Sequence, residues 1–337
     1  MKKRLIAILF GGEGSENDVS RLGARSILSA IDRERYIPYP VYIDRLGRWR
    51  EKNGRGRILR PARLGRRAAL LSPSGEVIRP DVTFPILHGD FGEDGRIQGL
   101  LDALGFCYVG CSVSAGAVAS DKILTKRVAE ALGIPTVPSV ALLHSDGIER
   151  QRRLAEGSVG YPMFIKPSCL GSSIGCSLVT SPCDFEGAAG LALRCGRALA
   201  EEFLEGAREL ECGYLDSPTY GEVFTLPGEV GAHGVYTYEK KYGTRIGALI
   251  SPVASVSEEY GERIRSYSAA LVREMGIRQL ARLDYFLYEK EIYLNEINTM
   301  PGFTEKSLYP LMMRECGIGM TELITELIEG AYDRDLR

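Results

Sequence analysis

Ala281-Arg282-Leu283-Asp284-Tyr285-Phe286-Leu287-Tyr288-Glu289-Lys290-Glu291-Ile292-Tyr293-Leu294-Asn295-Glu296-Ile297-Asn298 is the stretch on which the reading of this chain turns. Two runs rich in aromatic and branched residues flank the polar Glu289-Lys290-Glu291, the pattern of a hairpin. With the turn centred on Lys290, Asp284 falls opposite Glu296 and Arg282 opposite Asn298. Strand side chains alternate between faces, so all four point the same way. Two carboxylates and an amide oxygen on one face suit a hard cation such as Mg2+, which takes oxygen ligands and keeps places for water or phosphate. Carboxylates directly opposed across a strand pair repel unless neutralised, and Arg282 offsets only part of that charge. On pattern alone the row reads equally as the exposed polar face of an edge hairpin.

Upstream lie segments that suit anions. Lys166-Pro167-Ser168-Cys169-Leu170-Gly171-Ser172-Ser173-Ile174-Gly175 sets a lysine at a strand end before a Gly/Ser loop, which can aim backbone N–H groups and hydroxyls at a phosphate or stand as a plain surface loop. It is not a Walker A loop, because G-x-x-x-x-G-K-[ST] occurs nowhere, and counting from Gly12 the third glycine of G-x-G-x-x-G is replaced by Asn17. Lys122 and Lys241 are further cations. Glu201, Phe203 and Leu204 close a strand, and Glu209 follows the Gly206 turn, where a carboxylate suits ribose hydroxyls.

The first third alternates strand and helix. Leu5–Phe10 is an apolar run expected of a strand buried on both faces, and after Gly11-Gly12 the residues Val19, Leu22, Gly23, Ile27, Ala30 and Ile31 recur at helical spacing. Strands are expected at Tyr39–Ile43 and Val82–Leu87, and a helix through Ile97–Leu104 opened by Asp94 or Gly95. This order predicts a parallel sheet with helices on its faces and ligands at the carboxyl ends of its strands. A helix at Asp121–Leu132 leads into a second unit, with strands at Val140–Leu143, Met163–Lys166 and Ala198–Leu204. From about Gly206 strands and long loops dominate, with a helix near Ser257–Met275 and a last helix burying Leu323, Ile324, Leu327 and Ile328.

Composition narrows the function classes. The 337 residues suggest two or three domains at roughly 100–200 residues each. Hydrophobic residues make up 45% and charged residues 26%, as in ordinary globular proteins, and the net charge of −2 removes a global case for nucleic-acid or membrane binding. Arg45–Arg67, with ten Lys/Arg against the single acid Glu51, reads as a solvated loop. The amino terminus is apolar for only six residues before Gly11-Gly12, too short for a signal peptide, and no apolar stretch approaches the ~20 residues of a membrane helix. Eight cysteines without a C-x-x-C pair read as reduced thiols of a cytoplasmic protein, and three scattered histidines argue against zinc.

Together these segments resemble the D-alanine–D-alanine ligases of the ATP-grasp superfamily, in order and over nearly the whole chain. The resemblance rests on Gly11-Gly12…Ser15-Glu16…Val19-Ser20, on Leu87-His88-Gly89…Gly92-Glu93-Asp94-Gly95…Gln98-Gly99, and on Ser120-Asp121-Lys122 with Lys166-Pro167…Leu170-Gly171-Ser172-Ser173…Gly175. Tyr238-Glu239…Lys241-Tyr242, Arg282-Leu283-Asp284 and Asn295-Glu296-Ile297-Asn298-Thr299-Met300-Pro301-Gly302…Ser307-Leu308 complete it.

The resemblance implies an ATP-grasp fold of α/β and α+β type. An amino-terminal parallel-sheet domain at 1–120 would bind the first D-alanine. A central subdomain at 121–206 would carry the lid loop, and a subdomain at 207–337 the metal and acceptor sites. Lys122, Lys166, Ser172, Glu201, Phe203, Leu204, Glu209 and Lys241 would hold ATP, its adenine end along the main chain near Phe203–Leu204. Asp284, Glu296 and Asn298 would bind two Mg2+, with Mn2+ as a substitute. Glu16 would hold the first D-alanine's ammonium, with His88 near its carboxylate. Arg282 and the Gly302 N–H would form an oxyanion hole, and Ser307 and Leu308 would receive the second D-alanine. Glu16, Ser172 and Tyr242 would form a hydrogen-bonded triad joining the lid to the Gly228–Gly247 loop. The implied product is D-alanyl-D-alanine for peptidoglycan, made through an acyl phosphate by a cytoplasmic homodimer acting on ATP and D-alanine.

D-serine or D-lactate as acceptor are the alternatives within the family. Glu239-Lys240-Lys241-Tyr242 resembles the dipeptide-forming type, and His233 lies several positions upstream of where D-lactate users often carry a histidine. Cys169 and Leu170 depart from the Arg-Glu of some lid loops. Outside the family, the first Gly-Gly turn suggests a nicotinamide-dependent oxidoreductase, against which the missing third glycine and the acidic hairpin weigh. The arginine run suggests an RNA-contacting module, which salt-sensitive RNA retention would reveal.

Overall fold

A computed structural model describes residues 2–51, 56–171, 173–231 and 250–335. Ser172, His233, Lys241 and Tyr242 lie outside the described residues.

The chain opens with β1 (Arg4–Gly11), buried from Ile6 onward, and the helix Asn17–Ala30 leads on to β2 (Tyr36–Ile43). Then come β3 (Trp49–Glu51), β4 (Ile58–Leu64), β5 (Arg67–Leu71) and β6 (Val77–Ile78), before β7 (Val82–Ile86). β1 lies parallel between β2 and β7, as the sequence predicts, in a seven-stranded sheet ordered β6-β5-β4-β3-β2-β1-β7. The carboxyl ends of β1 and β7 lead directly into the Glu16 and His88 loops.

One expectation is overturned. The arginine run is not a loop: β3 and β4 extend the sheet antiparallel from β2. Period-two alternation persists beneath the charge. Trp49 and its register partner Leu59 are buried in a cluster with Leu70, Ile97 and Leu101, while Arg60 and Arg63 stay exposed. Asp44 pins the turn into β3 by accepting from Arg48 Nε at 2.8 Å and Arg50 Nε at 2.9 Å.

A second sheet joins β8 (Ser139–Leu142), β9 (Met163–Pro167), β10 (Ser177–Val179) and β11 (Ala198–Glu202) in the order β10-β9-β11-β8, all antiparallel. The helices Ile148–Ser158 and Pro182–Leu193 bury Ala155, Phe185 and Ala189 against it. The third sheet contains β12 (Arg208–Ser217), β13 (Gly221–Phe224), β14 (Gly228–Val230), β15 (Ile250–Ser251), β16 (Leu280–Tyr288) and β17 (Glu291–Asn298). Its order is β15-β14-β12-β16-β17, with β13 also on β12. The helix Glu258–Met275 covers it through Ile264, Leu271 and Val272. The last helix, Met320–Asp335, returns to the first sheet, placing Leu323, Ile324 and Leu327 in one core with Ile6, Ile8 and Phe84. Its Glu329 accepts from Arg4 at 2.6 Å and Arg35 at 2.8 Å.

The decisive hairpin forms the expected pairs by an unexpected route. Its turn is the two residues Glu289 and Lys290, both left-handed at φ 47 and 70. The register from that turn runs to Tyr285 opposite Leu294 and, continued, would set Asp284 opposite Asn295. A bulge at Asn295 inserts one residue, and beyond it Asp284 faces Glu296 and Arg282 faces Asn298.

Candidate active site

Three adjacent strands put acids in one row. Asp284 on β16 lies between Glu296 on β17 and Glu211 on β12, both in direct register with it. Arg282 Nε and Nη2 donate to Asp284 at 2.8 and 2.7 Å, and Asn298 Nδ2 donates to its Oδ2 at 3.0 Å. Burial pushes the Glu211 carboxyl up to about 8, reinforced by Asp284 and opposed by Arg282. Asp284 is raised by burial and Glu296 despite its bidentate arginine. Burial acts on Glu296 too, but Lys122, Lys166 and Arg282 overcome it and hold that carboxyl at about 2. No group of three His, Cys, Asp or Glu set to cage a metal occurs among the described residues. A cation held by Asp284, Glu296 and Asn298 therefore needs further oxygens from water or a ligand.

Two lysines reach this row from the second unit. Asp121 caps the helix Lys122–Ala131 by accepting from the N–H groups of Ile123 and Leu124 at 3.0 and 3.3 Å. The next residue, Lys122, places Nζ 3.2 Å from Glu296 Oε2 and donates to the Leu170 carbonyl at 2.8 Å, linking hairpin and Gly/Ser loop. Lys166, at the end of β9, lies 2.5 Å from Glu201 and donates to Asn295 Oδ1, the bulge residue, at 3.2 Å. Lys126, one helical turn beyond Lys122, holds the other Glu201 oxygen at 2.9 Å and donates to the Val137 carbonyl at 2.7 Å. Burial raises Glu201 less than Lys166 and Lys126 lower it. Half-buried Phe203 and Leu204 follow β11, the Phe203 N–H donating to the Pro162 carbonyl at 3.2 Å. Glu209 stands on β12 beside Phe286.

The third group lies at the ends of β1 and β7. Glu16 precedes the helix Asn17–Ala30, and its carboxylate lies so close to Gly89 that a Cβ there would meet Oε2 at 2.1 Å. His88 Nδ1 is 3.1 Å from the Met300 carbonyl, while Nε2 is buried with no hydrogen-bond partner among the described residues. Burial lowers the imidazole pKa more than Glu16 raises it, so the ring is neutral, Nδ1 donates to Met300, and Nε2 is the bare acceptor. Glu93 spans the seam between the first and third sheets, accepting from the Gly89 N–H at 2.7 Å and the Met300 N–H at 3.4 Å; burial and Glu16 push it up to about 8. Beyond Met300, a Cβ on Gly302 would meet Ser307 Oγ at 2.9 Å. Ser307 Oγ also lies 2.8 Å from Thr304 Oγ1 and precedes the helix Leu308–Glu315, where Leu308 is buried against Gly228.

A cleft opens beside these groups, with Gly89, Glu93, Lys122, Gly171, Glu296 and Asn298 in its wall. The structure thus brings Lys122, Lys166, Asp284, Glu296 and Asn298 together, with Arg282 adjoining and Glu16 and His88 across the seam. Glu211, Glu93 and Lys126 are the residues that sequence reasoning missed. Lys126 repeats Lys122 at helical spacing and Glu93 lies inside a motif already noticed, so these two left a local signal, whereas the place of Glu211 beside Asp284 is set by strand pairing.

The carboxyl-terminal model of the D-ala D-ala ligases matches residues 128–329, and the amino-terminal model matches residues 5–111. The chain is 39% identical to D-alanine--D-alanine ligase A of Mesorhizobium japonicum, covering 99% of this chain and 98% of the relative. It is 37% identical to D-alanine--D-alanine ligase of Chlorobium limicola over the same shares. The solved D-alanine-D-alanine ligase from Coxiella burnetii superposes with a TM-score of 0.88 at 30% identity, covering 100% of this chain and 96% of that one. VanG D-Ala:D-Ser ligase from Enterococcus faecalis superposes at 0.86 with 27% identity, covering 98% and 100%. With both halves matched and full-length relatives above a third identical, this chain belongs to the D-alanine–D-alanine ligase family of ATP-grasp enzymes.

Proposed function

We propose that the chain joins two D-alanines into D-alanyl-D-alanine, driven by ATP, as a cytoplasmic homodimer supplying peptidoglycan precursors. The observation that carries this reading is the meeting of two buried lysines with Asp284, Glu296 and Asn298, beside a cleft that Lys122, Glu296 and Asn298 line together with Gly89. In this reading residues 1–120 receive the first D-alanine, 121–206 carry the lid loop, and 207–337 supply the metal and acceptor sites.

The donor set fits Mg2+. It is all oxygen, and its carboxylates crowd one another, with Arg282, Asn298, Lys122 and Lys166 relieving them. When bound there, the ions neutralise phosphate charge that would repel an attacking carboxylate. Lys122 and Lys166 hold phosphate oxygens, with Glu201 and Lys126 fixing the Lys166 ammonium; Phe203, Leu204 and Glu209 border the nucleoside end. Glu16 holds the ammonium of the first D-alanine, and neutral His88 faces its carboxylate. That carboxylate attacks the γ-phosphate, ADP leaves, and an acyl phosphate remains. The second D-alanine, received at Ser307 and Leu308, loses an amine proton and attacks the acyl carbon. The oxyanion so formed rests on Arg282 and the Gly302 N–H until phosphate departs. Water must be kept out, because it would hydrolyse the acyl phosphate. Ser172, Lys241 and Tyr242 enter this scheme through the family resemblance.

The test is phosphate release from ATP and Mg2+ with D-alanine, followed by chromatography of the product. D-alanyl-D-alanine as the product supports the proposal. A folded protein whose ATP turnover ignores D-alanine overturns it, and exclusive use of added D-serine or D-lactate as acceptor replaces it with the alternative specificity.

A further inference from the structure

Arg282 has two carboxylates within reach and hydrogen-bonds to one. Its Nε and Nη2 form a two-pronged bond with Asp284 at 2.8 and 2.7 Å. Glu211 sits directly beside Asp284 on the next strand and brings Oε2 to 3.0 Å from the same Nε. That oxygen is enclosed and forms no hydrogen bond, because the N–H already points at Asp284. Such an arrangement is unfavourable in itself. A buried carboxyl oxygen without a hydrogen bond loses its hydration uncompensated.

The second acid acquires a purpose once Asp284 serves a cation. Carboxylate lone pairs directed at a divalent ion are withdrawn from the guanidinium, and the two positive groups repel. Arg282 must then turn, and the nearest acceptor is Glu211 Oε2. We propose that Glu211 is the positioning residue of Arg282, the reserve acceptor that takes over the guanidinium when Asp284 turns to a cation. Cation binding then redirects Arg282 within the site instead of competing with it. This rests on the reading of Asp284 as a cation ligand. Without Glu211, Arg282 loses the nearest second acceptor among the described residues and stays on Asp284 against the incoming ion.

The test is a double-mutant cycle read by binding, with Mn2+ as the probe. Mn2+ is titrated by electron paramagnetic resonance in the presence of ADP into the full-length wild type, Glu211→Gln, Arg282→Leu and the double variant, with Arg282→Gln as a second removal should leucine prevent folding. The expected result is that Glu211→Gln weakens Mn2+ about tenfold when Arg282 is present and less than about twofold when it is absent, a coupling of the size neighbouring groups show. Equal weakening in both backgrounds overturns the proposal, since it would make Glu211 a ligand or a general source of negative charge. No weakening in either background also overturns it. If the coupling holds while D-alanine fails to drive ATP turnover, the ligase reading falls and this inference stands. A wild type that binds no Mn2+ with ADP removes both.

Discussion

Asp44 and Asp284 are both buried aspartates held by arginine beside antiparallel strands, and they lie in opposite electrostatic states. Asp44 accepts from Arg48, Arg50 and the backbone N–H groups of Leu46 and Arg48, which together outweigh burial and hold its carboxyl far below the usual range. Asp284 has its bidentate arginine yet is shifted upward, because burial, Glu296 and Glu209 act on it together. At Asp44 four donors converge on one carboxylate; in the hairpin row three neighbouring acids share Arg282, Asn298, Lys122 and Lys166. The first arrangement fastens a turn to a sheet. The second crowds acids together, and under the proposed function a cation would relieve them, as functional sites commonly arrange.

Substitutions at the two places should therefore part activity from stability. Asp284→Asn should lower kcat by about 10³-fold or more, the scale of losing a charge-stabilising group at a reacting centre. Its ligand-free melting temperature should stay level or rise. Steady-state kinetics beside calorimetry checks this, and a large loss of stability would erase the contrast. On the other side, Trp49→Ala should destabilise by about 3 kcal/mol in urea melts, the scale of a buried aromatic truncation, while the folded fraction keeps its kcat. Asp44→Ala should do the same at about 1–2 kcal/mol, discounted because Arg48 is partly exposed.

A further effect is a slope with pH. The Glu93 carboxyl has its ordinary pKa of 4.5 when unfolded and about 8 when folded, so between those values the native state binds a proton that the unfolded chain releases. Stability from Glu93 is therefore present below pH 4.5 and declines as pH rises toward 8; Glu211 contributes in the same sense. Glu93→Gln should flatten the decline in denaturant midpoints measured from pH 5 to 8. A variant as steep as the wild type would show that Glu93 is ionised throughout.

Local pattern made most of the architecture legible. Apolar runs placed β1 and β7, helical spacing placed Asn17–Ala30 and Lys122–Ala131, and face alternation put Asp284 with Glu296 and Arg282 with Asn298. That pairing was reached by assuming a symmetric turn, whereas the molecule uses a shorter turn and a bulge whose offsets cancel. The arginine run misled because charge was weighed before alternation, and Trp49 and Leu59 keep the strand period within it. Glu211 was invisible for a different reason. Its place beside Asp284 depends on β12 pairing with β16, roughly seventy residues apart, which no local spacing encodes. Glu93 and Lys126 likewise acquire meaning only from Met300 and Glu201, contacts made across elements.

The central claim is that crowded acids in the hairpin row wait for a cation that arrives with the nucleotide. The melting temperature of wild type and Asp284→Asn, each with ATP plus Mg2+ and with ATP plus EDTA, tests it most directly. The wild type should gain stability from ATP only when Mg2+ is present, and Asp284→Asn should lose most of that gain while starting no lower. An equal rise with EDTA, or an undiminished Mg2+-dependent rise in the variant, would contradict it.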